Sequence, residues 1–215
     1  MSMRTIITIS RQYGSGGRLI GQKLAERLGI PFYDKELITL AAQESGYAEH
    51  LFEKTADTNI SNSLLYSLAM YGNTMGLYDM PLNDKLFMAQ SKTIQHVAEK
   101  GPCVIVGRCA DYVLRNVPNV LNVFIHSDMA SKVRRVTEDY GVTDDNVVDL
   151  INKTDKRRAN YYNYYTGMKW GRAENYHLAL RSDAVGIDGA VETIIRFIEA
   201  KNAEIERERA EAAKK

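Results

Sequence analysis

Four stretches of this chain carry residue types that could do chemistry together. The first holds Gly14, Ser15, Gly16 and Gly17, flanked by Arg11 and Arg18. Bare backbone N–H groups at the mouth of a helix form an anion site, and the helix dipole adds roughly half a positive charge there. The second is Asp34, a carboxylate that could hold Mg²⁺ through water, take a proton from a phosphoryl acceptor, or cap a helix. The third is Gly107-Arg108-Cys109-Ala110-Asp111, where Arg108 would bind a second anionic group and Asp111 would hydrogen-bond a base or cap a helix. The fourth is the polar run Asp155-Lys-Arg157-Arg158-Ala-Asn-Tyr161-Tyr162-Asn-Tyr164-Tyr165. Asp155 and Arg158 lie one helical turn apart. Such a segment could close over a triphosphate, or its tyrosines could pack on the stretch before residue 100.

The elements that must position these residues follow from hydrophobic pattern. Thr5 to Ile9 is β-branched throughout, which suits a strand buried on both faces. Ile20, Leu24 and Leu28, with Leu19 and Ala25, give the next segment one apolar helical face, which Gly29 and Pro31 end. The pattern predicts strands at 4–9, 32–34, 103–107, 120–125 and 184–187. It predicts helices at 35–43, 60–71, 86–100, 110–115, 128–140 and 144–165, and a last helix capped by Asp188. Asp128 is the expected cap of the helix to Tyr140, with Lys132, Arg134 and Arg135 partly exposed. Residues 72–84 and 166–182 read as loop or irregular chain. Strands alternating with helices imply an α/β fold with a parallel sheet between helical layers. Ligands in such sheets bind at the carboxyl ends of the strands, which is where all but the fourth stretch fall.

Composition narrows the function classes. The chain has 215 residues and a formal net charge of +1, so no global field draws it to nucleic acid or an anionic membrane. No apolar run approaches the roughly 20 residues that span a bilayer, and the N-terminus shows no signal-peptide pattern. Cys103 and Cys109 read as reduced thiols, which together with these features points to the cytoplasm. His50, His96, His126 and His177 have no metal-ligand spacing.

The phosphate-loop pattern is Gly, four residues, then Gly-Lys-Ser/Thr. Here Gly16 fills the second glycine, while Arg11, Gly17 and Arg18 stand at the first glycine, the lysine and the Ser/Thr. The order of glycine loop, helical insert, Gly-Arg-x-x-Asp after the third strand, and basic segment before the last strand resembles the nucleoside monophosphate kinases. The chain most resembles the bacterial cytidylate kinase-like family. The resemblance rests on Ile9-Ser-Arg-Gln-Tyr-Gly-Ser-Gly-Gly-Arg18, Gly29-Ile-Pro-Phe-Tyr-Asp-Lys-Glu-Leu-Ile38, Asn160-Tyr-Tyr-Asn-Tyr-Tyr-Thr-Gly167 and Trp170. Relatives carry Gly-Arg-Asp where this chain has Gly107-Arg108-Cys109.

The resemblance implies a P-loop kinase fold: a three-layer sandwich on a five-stranded parallel sheet, with a helical insert for a nucleoside monophosphate and a lid. The expected division is a core of 1–34, 101–142 and 183–200, an acceptor-binding insert at 35–100, a lid at 143–182 and a charged helix end at 201–215. It also implies ATP, Mg²⁺ and a small phosphoryl acceptor, nominally CMP or dCMP. On that reading Arg11, Gly14, Ser15, Gly16, Gly17 and Arg18 bind ATP, and Asp34 organises Mg²⁺. Arg108, Asp111, Asp155 and Asp34 meet the acceptor. Arg18, Asp34, Arg157 and Arg158 serve catalysis, with Arg18 or Arg11 replacing the lysine. A non-catalytic nucleotide-binding module and a single-stranded nucleic-acid binder are the alternative readings.

Overall fold

The computed structural model describes residues 5–35, 81–143 and 145–213. The expected helices at 35–43 and 60–71 and most of the loop from 72 lie outside these residues. In chain order the elements are β1 (Ile6–Arg11), α1 (Gly17–Leu28), β2 (Phe32–Tyr33), α2 (Leu82–Glu99), β3 (Val104–Val106), α3 (Ala110–Val113) and β4 (Val120–His126). There follow α4 (Met129–Arg134), which runs on as a π-helix over Arg135–Asp139, then α5 (Val147–Thr166), β5 (Leu178–Arg181) and α6 (Ser182–Ala212).

All five strands are parallel, in the order β2-β3-β1-β4-β5. β1 is central, and its alternation decides the layers. Ile7 and Ile9 enter a core with Ile20 and Leu24 of α1 and Val191, Ile194 and Ile198 of α6. Ile6 points the other way, to Ile94 and Val97 of α2 and Leu114 just beyond α3. Each fully buried isoleucine contributes about 1.5–3 kcal/mol of transfer free energy. Thr8, a buried polar residue in this strand, donates its hydroxyl to Asn122 Oδ1 on β4 at 2.8 Å. At the end of α1, Ile30 N–H reaches Ala25 O and Gly29 N–H reaches Glu26 O, with Gly29 at φ 63°. This left-handed cap stops the helix where the glycine predicts. Leu19, expected on the inner face, is 43% exposed and faces the cleft described below.

Four expectations are corrected. The last strand lies at 178–181, not 184–187, so it falls inside the stretch expected to form the lid. Ala184 and Val185 are exposed, and Gly186 at φ 71°, ψ 177° kinks the helix that Ser182 begins. A four-residue apolar run fits a strand or a helix turn equally, and pairing to β4 goes to Leu178–Arg181 instead. Asp188 lies within α6 and its carboxylate meets Lys23 Nζ at 2.6 Å rather than capping a helix start. Lys132, expected to be partly exposed, is buried, while Asp128 does cap α4, accepting from Ser131 N–H at 2.7 Å. Leu82–Asp84, read as loop, belong to α2.

Candidate active site

The chain leaves β1 and turns back over its end. Gln12 N–H still bonds Ile125 O, Ser15 N–H and Oγ both donate to Gln12 O, and Ile20 N–H donates to Gly16 O. The loop carbonyls are claimed by side chains: Arg135 Nη1 donates to Gly14 O at 2.7 Å, and the fully buried Ser182 donates to Ser15 O at 2.7 Å. The amides of Gly16, Gly17 and Arg18 have no acceptor among the described residues. Carbonyls held back and amides left forward make the concavity electropositive at the start of α1.

The glycines themselves have steric causes. Gly16 sits at φ 77°, and a Cβ there would lie 2.5 Å from Ile187 Cδ1. A Cβ on Gly17 would lie 2.5 Å from Arg11 Cβ. Counting glycines therefore does not separate a phosphate loop from a tight turn. The unclaimed amides and the surrounding cations do.

Those cations converge from three elements. Arg11 ends β1 with its guanidinium over Gly107. Burial, then the positive charges of Arg158 and Arg108, push Arg11 down to about 9, while Asp34 opposes the shift. Arg158 of α5 donates to Arg11 O at 2.9 Å and lies 5.5 Å from the centre of the Tyr13 ring. Burial lowers its pKa too. Arg108 lies 5.7 Å from the centre of the Tyr161 ring, and its buried Nε has no partner among the described residues. Guanidiniums this close gain most from a shared anion. Arg108 is also held in an unusual backbone: Gly107, Arg108 and Cys109 have φ of 83°, 56° and 55°. Left-handed non-glycine residues cost about 1–2 kcal/mol each, and such strain gathers at ligand sites.

Asp34 stands at the end of β2, nearly buried, and takes Arg18 Nε at 2.8 Å and Nη2 at 2.7 Å on Oδ2. On its outer side Arg18 lines a cleft of about 440 Å³ with Leu19, Gln22, Arg135, Asp139 and Tyr140.

The other expected site residues take different positions. Arg157 points to solvent and bonds Thr154 Oγ1 on its own helix, because it sits one residue round α5 from Arg158. Asp155 Oδ1 accepts the Tyr13 N–H at 2.6 Å, so it contacts the loop backbone. Asp111 is buried and accepts the Tyr162 hydroxyl on Oδ2 at 2.7 Å, tying α3 to α5. Burial raises the Asp111 pKa, and the Tyr162 bond works against that rise. Arg135, Lys132, Tyr13 and Ser182 touch or support the loop, yet sequence reasoning did not select them. Tyr13 and Ser182 closely follow the ends of β1 and β5, and Lys132 and Arg135 come within three helical turns of the end of β4.

The Asp111–Tyr162 pair gives a stability test. The folded state binds the Asp111 proton more tightly than the unfolded chain, so this group's contribution falls as pH rises from the unfolded pKa through the raised one. Tyr162→Phe leaves the ionised carboxylate without its donor, at about 1.5–3 kcal/mol. The melting temperature of the variant is expected to fall most at pH 8, with the deficit shrinking on acidification. A pH-independent deficit would contradict the assignment.

A glycine loop between a central parallel strand and a helix, set in a sheet of order 2-3-1-4-5, defines a P-loop kinase fold. The chain belongs to the cytidylate kinase-like family, whose model matches residues 6–184. A solved uncharacterized protein from Eubacterium ventriosum ATCC 27560 is 31% identical, covers 91% of this chain and 98% of its own, and superposes with a TM-score of 0.69. Shikimate kinase from Bacteroides thetaiotaomicron is 16% identical, with coverage of 91% and 98% and a TM-score of 0.52. A gluconokinase from Sinorhizobium meliloti 1021 is 14% identical, with coverage of 95% and 99% and a TM-score of 0.54. At those identities the two kinases are alike in fold alone. No curated protein matches the chain.

Proposed function

We propose that this protein moves the γ-phosphoryl of ATP to a small phosphorylated acceptor, with a nucleoside monophosphate such as CMP or dCMP as the leading candidate. The observation that carries this reading is the meeting of Arg11, Arg108 and Arg158 beside a loop with three unclaimed amides. One anion needs fewer donors than this; two phosphate groups approaching each other need all of them.

On this reading the amides of Gly16, Gly17 and Arg18 hold the β-phosphate at the N-terminus of α1. Arg108 holds the acceptor's phosphate through its unpartnered Nε. Arg158, carried on α5 as the lid, neutralises the group in transfer. Catalysis is then positioning and charge stabilisation, with little covalent work for the protein.

Mg²⁺ fits the donors as an ion brought by the nucleotide. It commonly keeps waters and takes one or two carboxylates plus phosphate oxygens. Among the described residues no group of three or more His, Cys, Asp or Glu forms a cage, and Asp34 is the carboxylate at the right strand end. When bound, the ion supplies charge neutralisation at the phosphate oxygens, and Asp34 would hold it through water.

Among the described residues no helix is long and apolar enough to cross a membrane, and the small-molecule reading needs no membrane or nucleic-acid partner. ADP release from ATP should be followed against a panel of nucleoside monophosphates. At least one is expected to be turned over, and Arg108→Ala should raise its KM at least tenfold with little change in ATP affinity. ATP binding without turnover of any acceptor would instead favour a nucleotide-binding regulatory module.

A further inference from the structure

Helix α5 is fastened to the glycine loop at two points one turn apart. Arg158 bonds Arg11 O, and Asp155 bonds the Tyr13 amide. The second oxygen of Asp155 accepts from Lys132 Nζ at 3.1 Å, and the two side chains are only 6% and 15% exposed. Lys132 also packs on the loop itself: its carbonyl oxygen lies 2.9 Å from where a Cβ on Gly14 would be. A loop amide and an ammonium thus converge on one carboxylate. That donor pair suits a phosphate oxygen equally well.

The loop has no lysine of its own, since Gly17 stands in that place. The two arginines nearest in sequence take other positions. Arg18 holds Asp34, and the Arg11 guanidinium lies over Gly107. We infer that Lys132 supplies the missing ammonium from α4, and that Asp155 is an internal stand-in for phosphate which occupies Lys132 and the Tyr13 amide until a nucleotide triphosphate displaces it.

This inference rests on the ATP reading above. Two anions cannot share one ammonium and one N–H at close range without repulsion. Arrival of the terminal phosphate therefore releases Asp155 and undoes one of the two fastenings of α5. Lid position and nucleotide occupancy become linked through a single carboxylate, with no proton transferred.

A plain strut makes a different prediction. If Asp155 and Lys132 only brace the loop, removing either one loosens it, and both changes weaken nucleotide binding. A stand-in gives opposite signs. The test is calorimetric titration of the full chain with ATP, for wild type, Lys132→Met and Asp155→Asn, with an unliganded melting curve for each. Lys132→Met is expected to weaken ATP at least tenfold, while Asp155→Asn tightens it at least threefold. Equal signs for the two variants, or an ATP affinity of Lys132→Met within twofold of wild type, would overturn the inference. If Lys132→Met does not fold, the sign of the Asp155→Asn change decides alone: tightening supports the stand-in and weakening rejects it. Wild-type protein that binds no ATP would defeat the ATP reading itself, and that failure is seen before any variant is titrated.

Discussion

Arg158→Ala is expected to lower turnover by about 10²–10³-fold, the usual loss when one donor to a developing charge is removed. The side chain enters the site from α5 and is fixed there by its bond to Arg11 O at 2.9 Å. Its structural share is small by comparison. Losing one hydrogen bond costs about 0.5–1.5 kcal/mol, or a few degrees of melting temperature in a chain of this size. The signature is therefore a large fall in kcat with a modest fall in stability. Arg158→Lys should recover only part of the rate, because an ammonium is a point charge where a guanidinium offers a fork. Arg157→Ala is the control: it is exposed and bonds Thr154, so its activity is expected to stay within about threefold of wild type, given the small effect of exposed sites. Comparable losses in Arg157→Ala and Arg158→Ala would show that α5 acts as a diffuse charge and that Arg158 has no special place.

Gly16→Ala is expected to be strongly destabilising. Two costs fall together. The residue sits at φ 77°, where a Cβ costs about 1–2 kcal/mol. The Cβ would also stand 2.5 Å from Ile187 Cδ1, a side chain packed against the main core. Overpacking of that kind costs about 1–3 kcal/mol. A loss of about 2–5 kcal/mol corresponds to a melting temperature lower by very roughly 5–20 °C, with nucleotide binding lost as the loop amides turn. Ile187→Val removes the offending Cδ1 at a cost of about 0.5–1.5 kcal/mol by itself. The double variant should nonetheless be more stable than Gly16→Ala, since the two sites are in contact and their effects do not add. Simple additivity would mean that the collision is relieved elsewhere and that the backbone term carries the whole effect.

Both predictions depend on residues that are near one another only in space, and this sets how far the candidate site was legible in the sequence. Arg11, Asp34 and Arg108 could be placed in one crevice because each follows a strand in a parallel sheet. Arg158 was selected for its charge and its tyrosine neighbours, but so was Arg157. A helix turns about 100° per residue, so only the docking of α5 could decide which guanidinium faces the loop. Arg18 or Arg11 was read as the substitute for the missing lysine, and Arg18 is the one adjacent to the lysine's place in sequence. Its bond to Asp34, sixteen residues away, gives it another task. Asp155 was read as an acceptor contact, and the angle of α5 places it on the Tyr13 amide instead.

The fold shows the same division. Periodicity alone determined the first four strands and the helices that cover them, because a strand buried on both faces and a one-sided helix leave distinct traces. The glycine loop and the caps at Gly29 and Asp128 were equally local, being set by φ preference and one side-chain bond. The tertiary structure decided where β5 lies, since Leu178–Arg181 becomes a strand only by pairing with β4. It also decided which cations serve the loop. Lys132 and Arg135 come from a helix more than a hundred residues after Gly16, and the packing of α4 and its π-helical continuation against Gly14 and Gly16 brings them there. Sequence adjacency carries backbone conformation, whereas the charge that a phosphate would meet is assembled by packing.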